Sequence, residues 1–301
     1  MSRGDLRTPL GRAWLALGTV LIGPGGNVAF VCLLIALFRT TPELPLLVAA
    51  NRDELYARPA EPITVLRAQR PRILGGRDEA AGGTWLAVNS HGLLAGLTNQ
   101  PVASRDATKR SRGELPLAFA AYPDAATAVA EVCARLDPAD YNPCWLLVGD
   151  RDRLFSIDLT GGPRPGVEEL PPGNYVLENA PLRRETAKQD QVAAMVGATL
   201  AADGGQAPAA ALATVLRDHQ PTAGPWPPLP DGRPRPAELS AACVHTAQYG
   251  TRSAMIVSVP ADGLPGVQVA AGPLCTAPLQ DMSSLWTSPV PASAAGPGAL
   301  R

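Results

Sequence analysis

Histidine, paired cysteine and excess charge are all scarce in this sequence, and each shortage removes a class of chemistry. Only three histidines occur in 301 residues, His91, His219 and His245, and none falls in an HxxxH or HxxE spacing. The sequence therefore predicts no metal enzyme. Cysteine occurs five times, at Cys32, Cys133, Cys144, Cys243 and Cys275, an odd number with no CxxC pair. That argues against a disulfide framework or a zinc cluster and for a reducing, cytoplasmic compartment. A formal net charge of −1 with 18% charged residues leaves no electrostatic footprint for nucleic acid or for an acidic membrane surface. The apolar run from Ala13 to Ile22 is too short to span a bilayer, so no stable membrane insertion is expected. Nothing in the sequence calls for a cofactor.

What is present is apolar material in quantity. A hydrophobic fraction of 46% is ample for a core in one large or two small domains. The stretch from Val31 to Glu54 organises the rest: an apolar run opened by Cys32, a Thr-Pro-Glu turn, and a second apolar run that ends abruptly in Asn51-Arg52-Asp53-Glu54. Two strands joined as a hairpin fit this pattern. Charges at the end of a buried strand cost several kcal/mol unless they are partnered. They pair among themselves, face a site that Cys32 also faces, or do both.

Residues 1 to 31 carry the outline of a signal peptide, with Arg3, Arg7 and Arg12 before the apolar run, but Asn27-Val28-Ala29 is a weak cleavage site. A start at Val31 explains the segment more simply, through a GTG codon preceded by a ribosome-binding site translated as Gly25-Gly26-Asn27. Removal of the initiator Met would then leave Cys32 as the amino terminus. A precursor that cuts itself before Cys32 is the other route to the same end. The expected division is residues 1–31 as a misassigned start or an extension, 32–286 as the domain, and 287–301 as a disordered tail.

Further along, Arg58 to Pro71 reads as loop, Leu74 to Asp78 and Gly82 to Thr84 as turns, and Trp85–Val88 with Leu93–Leu97 as a hairpin. Ser111 and Glu114 suggest a capping box for a helix through Ala121, and Asp124 caps a second helix to Leu136. Trp145–Val148 and Leu154–Asp158 form another hairpin, and Tyr175–Leu177 is a strand. Helices follow over 181–200 and 208–218, then a proline-rich loop over 221–236, then strands at Ser253–Val259 and Val267–Ala270. Hairpins followed by helix pairs, twice over, predict an α+β fold: two antiparallel sheets face to face with helices outside, a four-layer αββα sandwich. Trp85 and Trp145 read as core residues, Cys133 and Cys243 as packing, and His91 as solvated.

Eight motifs stand in order along the chain. They are Cys32 opening an apolar strand, Asn51-Arg52-Asp53-Glu54, Gly75-Gly76-Arg77-Asp78, Gly82-Gly83-Thr84-Trp85-Leu86, Leu97-Thr98-Asn99, Ser111-Arg112-Gly113-Glu114-Leu115, Leu146-Leu147-Val148-Gly149-Asp150 and Tyr249-Gly250-Thr251-Arg252-Ser253. In this the chain resembles the NRDE family, also called the transport and Golgi organization protein 2 family, which looks like the amino-terminal-nucleophile hydrolases. More distantly it is similar to the choloylglycine and penicillin V amidases. That resemblance implies a site made of Cys32, Arg52, Asp53, Asn99, Asn179 and Arg252. It departs from the amidase pattern at Glu178, where a small polar residue usually stands, and in that Cys32 is not terminal in the sequence.

The chemistry implied needs a free α-amine. A thiol of pKa about 8.5 is mostly protonated at neutral pH, and an α-amine of pKa about 7.7 to 8.0 can take its proton. Arg52 would stabilise thiolate, Asp53 would hold the amine, Asn99 and Asn179 would receive an oxyanion, and Arg252 would orient Asp53 or a substrate carboxylate. From spacing alone, Cys32 is equally a buried strand cysteine, Arg52-Asp53 a structural ion pair, and the two asparagines turn residues. Two functions follow: a hydrolase that cleaves a linear non-peptide amide through a Cys32 thioester, or a non-catalytic haem or lipid carrier on the same fold. The expected partner is a small-molecule amide, a lipid or haem; oligomeric state is left open.

Overall fold

Among the described residues three large apolar cores lie one above the other, beside a small fourth cluster of Leu229, Leu239, Val244 and Tyr249, and the central strands between the large cores are apolar on both faces. In the computed structural model, residues 32–289 are described, except Pro42, Glu185, Gly205 and Gln206. The expected extension over 1–31, with its start at Val31, and residues 290–301 of the expected tail lie outside the described residues. Ser288 belongs to the folded body, its carbonyl accepting a hydrogen bond from Arg72 Nη2.

Strands β1 (Leu33–Phe38) and β2 (Leu46–Leu55) form the predicted hairpin, with Leu33 opposite Asn51 and Phe38 opposite Leu46. Because side chains alternate across a strand, Leu34, Ala36 and Phe38 enter the core between the sheets, while Leu33, Ile35 and Leu37 enter the core beneath helices. That is why the sequence reads LLIALF without a polar break. Full burial of each large side chain is worth about 1.5 to 3 kcal/mol.

The next four strands are β3 (Ala60–Arg67), β4 (Ile73–Asp78), β5 (Leu86–Asn89) and β6 (Leu94–Asn99). The loop expected over 58–71 and the turn expected at 74–78 are therefore strands. The prolines misled because β3 is an edge strand, where Pro62 falls at a register shift between Glu61 and Thr64. The Gly75-Gly76 pair is not a turn. A Cβ on Gly76 would stand 2.0 Å from the Trp85 ring, so the glycine makes room for that indole within the sheet.

Helix α1 (Glu114–Ala120) begins at Gly113 without a side-chain cap, and Glu114 pairs instead with Arg110 at 2.7 Å, so the capping box proposed at Ser111 does not form. Helix α2 (Ala125–Cys133) is capped by Asp124 as expected, through the Thr127 N–H. Then come β7 (Cys144–Gly149), β8 (Leu154–Asp158), β9 (Gly166–Leu170) and β10 (Gly173–Leu177). Helix α3 (Ala187–Asp203) starts at a capping box of Thr186 and Gln189, and α4 (Pro208–Leu216) follows it. The chain closes with β11 (Tyr249–Val259), β12 (Gly266–Ala270) and the short β13 (Gln280–Asp281).

One sheet has the order β10-β1-β2-β11-β12-β13 and the other β3-β4-β5-β6-β7-β8-β9, with every pairing antiparallel. The first carries α3 and α4 on its outer face and the second carries α1 and α2. The fold is the four-layer αββα sandwich that the order of elements predicted. Among the described residues no helix is long and apolar enough to cross a membrane.

Candidate active site

The site forms where β1 begins and β2 ends. Leu33 pairs with Asn51, so Cys32, one residue earlier, comes level with the charged end of β2. Strand alternation then splits the Asn51–Glu54 cluster between two layers. Asn51 and Asp53 face the helical side: Asn51 Nδ2 donates to the carbonyls of Leu216 and Ala242 at 3.0 and 2.8 Å, and Asp53 Oδ1 accepts the Thr251 hydroxyl at 2.5 Å. Arg52 and Glu54 face the other sheet. The Arg52 guanidinium lies 4.5 Å from the centre of the Trp85 ring and 3.6 Å from Glu54, which also pairs with Arg58 at 3.5 Å. Arg58 in turn binds Asp78 at 2.7 Å.

Cys32 itself is buried, and its Sγ points at the Asp53 carbonyl at 4.0 Å. It opens into a cavity of about 70 Å³ whose wall includes Arg52, Asp53, Trp85, Asn99 and Arg112. The site is closed on one side by two glycine motifs in direct contact. Thr84 N–H donates to the Gly113 carbonyl at 2.9 Å, and a Cβ on Gly83 would meet the Gly113 backbone at 2.5 Å.

Four of the six sequence-predicted residues, Cys32, Arg52, Asp53 and Asn99, therefore line one cavity. Asn179 stands behind Asn99, its amide donating to the Asn99 carbonyl. Arg252 is placed elsewhere. It is the extra residue of a bulge between Thr251 and Ser253, its guanidinium donates to the carbonyls of Leu55 and Tyr56, and it lines a second cavity of about 370 Å³. Asp53 has Thr251, not Arg252, as its hydrogen-bond partner. Arg52 and Trp85 border both cavities and so form the partition between them.

Burial sets the electrostatics. Desolvation, then the Asp53 carboxylate, pushes the Cys32 thiol up to about 12; Arg52 acts downward, as expected, but is outweighed. Desolvation likewise pushes Asp53 up to about 7, against Lys188, the Thr251 hydrogen bond and Arg52. Asp53 Oδ2 and the side-chain oxygens of Asn99 and Asn179 are buried without a hydrogen-bond partner.

Sequence reasoning missed three contributors. Lys188 is 4% exposed, its ammonium lacks a hydrogen-bond partner, and burial lowers its pKa against the pull of Glu178 and Asp53. No local pattern marks it, because only the docking of α3 brings it to the site. Arg112 sits inside a quoted motif but was read only as part of a helix start. Burial lowers it to about 10, still a cation at neutral pH, and it holds the Pro143 carbonyl at 3.1 Å. Trp85 packs against the core between the sheets, as expected, and is also a cavity wall.

Two antiparallel sheets face to face between two pairs of helices, with Cys32 opening a central strand beside Arg52 and Asp53, define the class: an αββα-sandwich protein. Within it, the chain belongs to the Transport and Golgi organisation 2 family, whose model matches residues 31–269. It is 31% identical over 248 residues to the Transport and Golgi organization protein 2 homolog of Bos taurus, covering 72% of this chain and 83% of that one. The Homo sapiens homolog is 32% identical over 235 residues, with the same coverage. Among solved structures, a variant of conjugated bile acid hydrolase from Clostridium perfringens is 12% identical with a TM-score of 0.49, covering 84% of this chain and 93% of that one. Penicillin V acylase from Agrobacterium tumefaciens is 12% identical with a TM-score of 0.41, covering 84% and 86%.

Proposed function

We propose that this chain is a cytoplasmic amidohydrolase that cleaves a linear non-peptide amide, with Cys32 as both the mature amino terminus and the nucleophile. The observation that carries the reading is the convergence of Cys32, Arg52, Asp53 and Asn99 on one small cavity, with a buried Asp53 oxygen free to accept a proton donor. A thiol held near 12 is inert at neutral pH on its own. A free α-amine on the same residue changes that. Its ammonium form would donate to Asp53 Oδ2 and stabilise thiolate, and its neutral form would take the Sγ proton as attack begins.

In this scheme Sγ bonds to the substrate carbonyl carbon, and the carbonyl electron pair moves onto oxygen. The Asn99 side-chain amide, on a strand end whose main-chain carbonyl Asn179 holds, stabilises that charge, a contribution of about 2.7 to 4 kcal/mol per donor. Collapse breaks the C–N bond, and the α-ammonium returns its proton to the departing amine. Water, deprotonated by the same amine, then hydrolyses the thioester. The cavity at Cys32 is too small for more than the reacting groups, so the remainder of the substrate extends past the Arg52–Trp85 partition into the larger cavity. Two arginines, Arg52 and Arg252, border that space and favour a substrate with an anionic end. Five free cysteines suit the reducing compartment.

A haem or lipid carrier is the second reading. What favours it is that the larger cavity does not border Cys32, so a ligand held there needs no nucleophile. One experiment separates the two. The chain beginning at Cys32, the same chain with one added amino-terminal residue, and Cys32→Ala are compared against a panel of acyl amides, with thioester trapped and weighed, and in haem titrations. Turnover and thioester only in the first chain support hydrolysis. Equal behaviour of the first two chains, no turnover, and undiminished haem binding by Cys32→Ala overturn it in favour of the carrier.

A further inference from the structure

Two of the three histidines and two of the five cysteines come together at a cluster outside Cys32's cavity. His219 follows α4, Cys243 and His245 precede β11, and Cys275 follows β12, so three loops distant in sequence supply the group. One potential ligand atom from each of these four residues lies within 4.8 Å of all the others. Cys243 Sγ is 3.9 Å from Cys275 Sγ and 3.5 Å from His245 Nε2, and Cys275 Sγ is 3.3 Å from the same nitrogen. The two imidazole rings are 4.9 Å apart, centre to centre.

A tetrahedral zinc ion with bonds of about 2.3 Å to sulfur and about 2.0 Å to nitrogen separates its ligand atoms by about 3.8 Å for S–S and about 3.5 Å for S–N. The spacings among Cys243, Cys275 and His245 match those edges, and the His219 nitrogen lies within 4.8 Å of all three. They do not match a disulfide, whose sulfurs stand about 2.05 Å apart. The loops are braced beside the ligands: Cys243 N–H donates to the Asp218 carbonyl at 2.8 Å, and Arg217 Nε donates to the Leu274 carbonyl at 3.1 Å. The residue before His219 is thus tied to Cys243, and the residue before Cys275 to Arg217. The absence of a CxxC pair, which argued against a zinc cluster, does not bear on a site assembled from three loops by tertiary structure.

We propose that His219, Cys243, His245 and Cys275 form a zinc-class metal site with two thiolate and two imidazole ligands. Two sulfurs and two nitrogens gathered within 4.8 Å of one another select a borderline-soft d¹⁰ cation over magnesium or calcium, which take oxygen ligands. Four protein ligands close the coordination sphere, which makes the site structural rather than catalytic. Its effect reaches the Cys32 cavity through two residues. Val244, next to Cys243, donates its N–H to Thr251 Oγ1 at 2.9 Å, and the Thr251 hydroxyl donates to Asp53 Oδ1 at 2.5 Å. The ion would pin the loop that positions Asp53's partner.

The test is metal analysis of the full chain purified under reducing conditions from zinc-supplemented cells. One zinc per chain, replaceable by cobalt to give the intense visible bands of a tetrahedral thiolate site, is expected. Because Cys243 is buried, the informative variants are Cys275→Ser and His219→Ala, which leave the core intact. Each is expected to weaken zinc binding about tenfold or more, at least as much as the loss of an outer-shell partner, while Cys32→Ala keeps its zinc. Zinc removal by chelator is expected to lower the Tm of the wild type and not of Cys275→Ser. Zinc content no higher in the wild type than in these two variants overturns the proposal, as does a Cys243–Cys275 disulfide that persists in reductant.

Discussion

Asp53 is the strongest charged influence on the Cys32 thiol, and Asp53→Asn isolates it. The substitution keeps the main-chain carbonyl that the thiol faces and removes the carboxylate that ranks after burial in holding the thiol near 12. At pH 8 such a thiol is ionised to about one part in ten thousand, against roughly a quarter for an ordinary cysteine of pKa about 8.5. Full relief would raise reactivity on the order of a thousandfold. A neighbouring charge is worth about one to three pKa units, so Asp53→Asn in the chain beginning at Met1 should speed Cys32 alkylation by iodoacetamide about tenfold or more at pH 8. Peptide mass mapping separates Cys32 from the exposed Cys275. The pH dependence is the sharper signature. Asp53 itself titrates near 7, so below that pH its carboxyl is neutral and the two chains should converge. Unchanged or slower alkylation in Asp53→Asn at pH 8, or an acceleration of equal size at pH 5.5, would refute the reasoning.

Other outcomes follow from the same contacts. Asp53 binds its proton more tightly folded, at about 7, than at its ordinary 3.8, so its contribution to stability is fully present below about pH 4 and is lost as pH rises through 7; urea unfolding should show that decline in the wild type and a flatter profile in Asp53→Asn. Leu33→Ala empties a fully buried position under the helices and should cost about 2 to 5 kcal/mol in the same assay. Gly76→Ala places a methyl 2.0 Å from the Trp85 ring; a loss of about 1 to 3 kcal/mol is expected, with a change in Trp fluorescence that Gly197→Ala, in open helical space, does not produce. If the proposed hydrolysis holds, Arg252→Ala should raise KM for an anionic amide with little change in kcat, because Arg252 lines the outer cavity and not the one at Cys32.

The layers were legible because doubly buried strands print unbroken apolar runs, as at Leu33–Phe38, and because Asp124 caps its helix with local chemistry. Where the code was tertiary it could not be read. Gly75-Gly76 looks like a turn until the Trp85 ring is seen to need the space. Pro62 looks like a loop until β3 is known to be an edge. Cys32, Arg52, Asp53 and Asn99 could be placed together through the family resemblance, although β1 and β2 belong to one sheet and β6 to the other. Lys188 arrives from a helix with no local mark, and Arg252 is turned aside by a bulge that period-two reasoning does not anticipate. The histidine and cysteine cluster escaped for the same reason: its members are separated by loops that only the fold closes.

The division of Asn51–Glu54 between two layers makes that motif a parity device. Loop residues between β1 and β2 can be added or removed without touching the site, because they lie beyond Phe38 and before Leu46. A single residue gained or lost between Leu46 and Asn51 is different: it would turn Arg52 toward the helices and Asp53 toward the opposite sheet, exchanging a cation and an acid between environments built for the other. Composition would change by only one residue and all four side chains of the motif would still be present, yet the thiol would face the wrong charge on each side. Variation in such a chain should therefore appear as altered hairpin loops and never as odd-numbered slips within the strand, so the four letters behave as one indivisible unit of register.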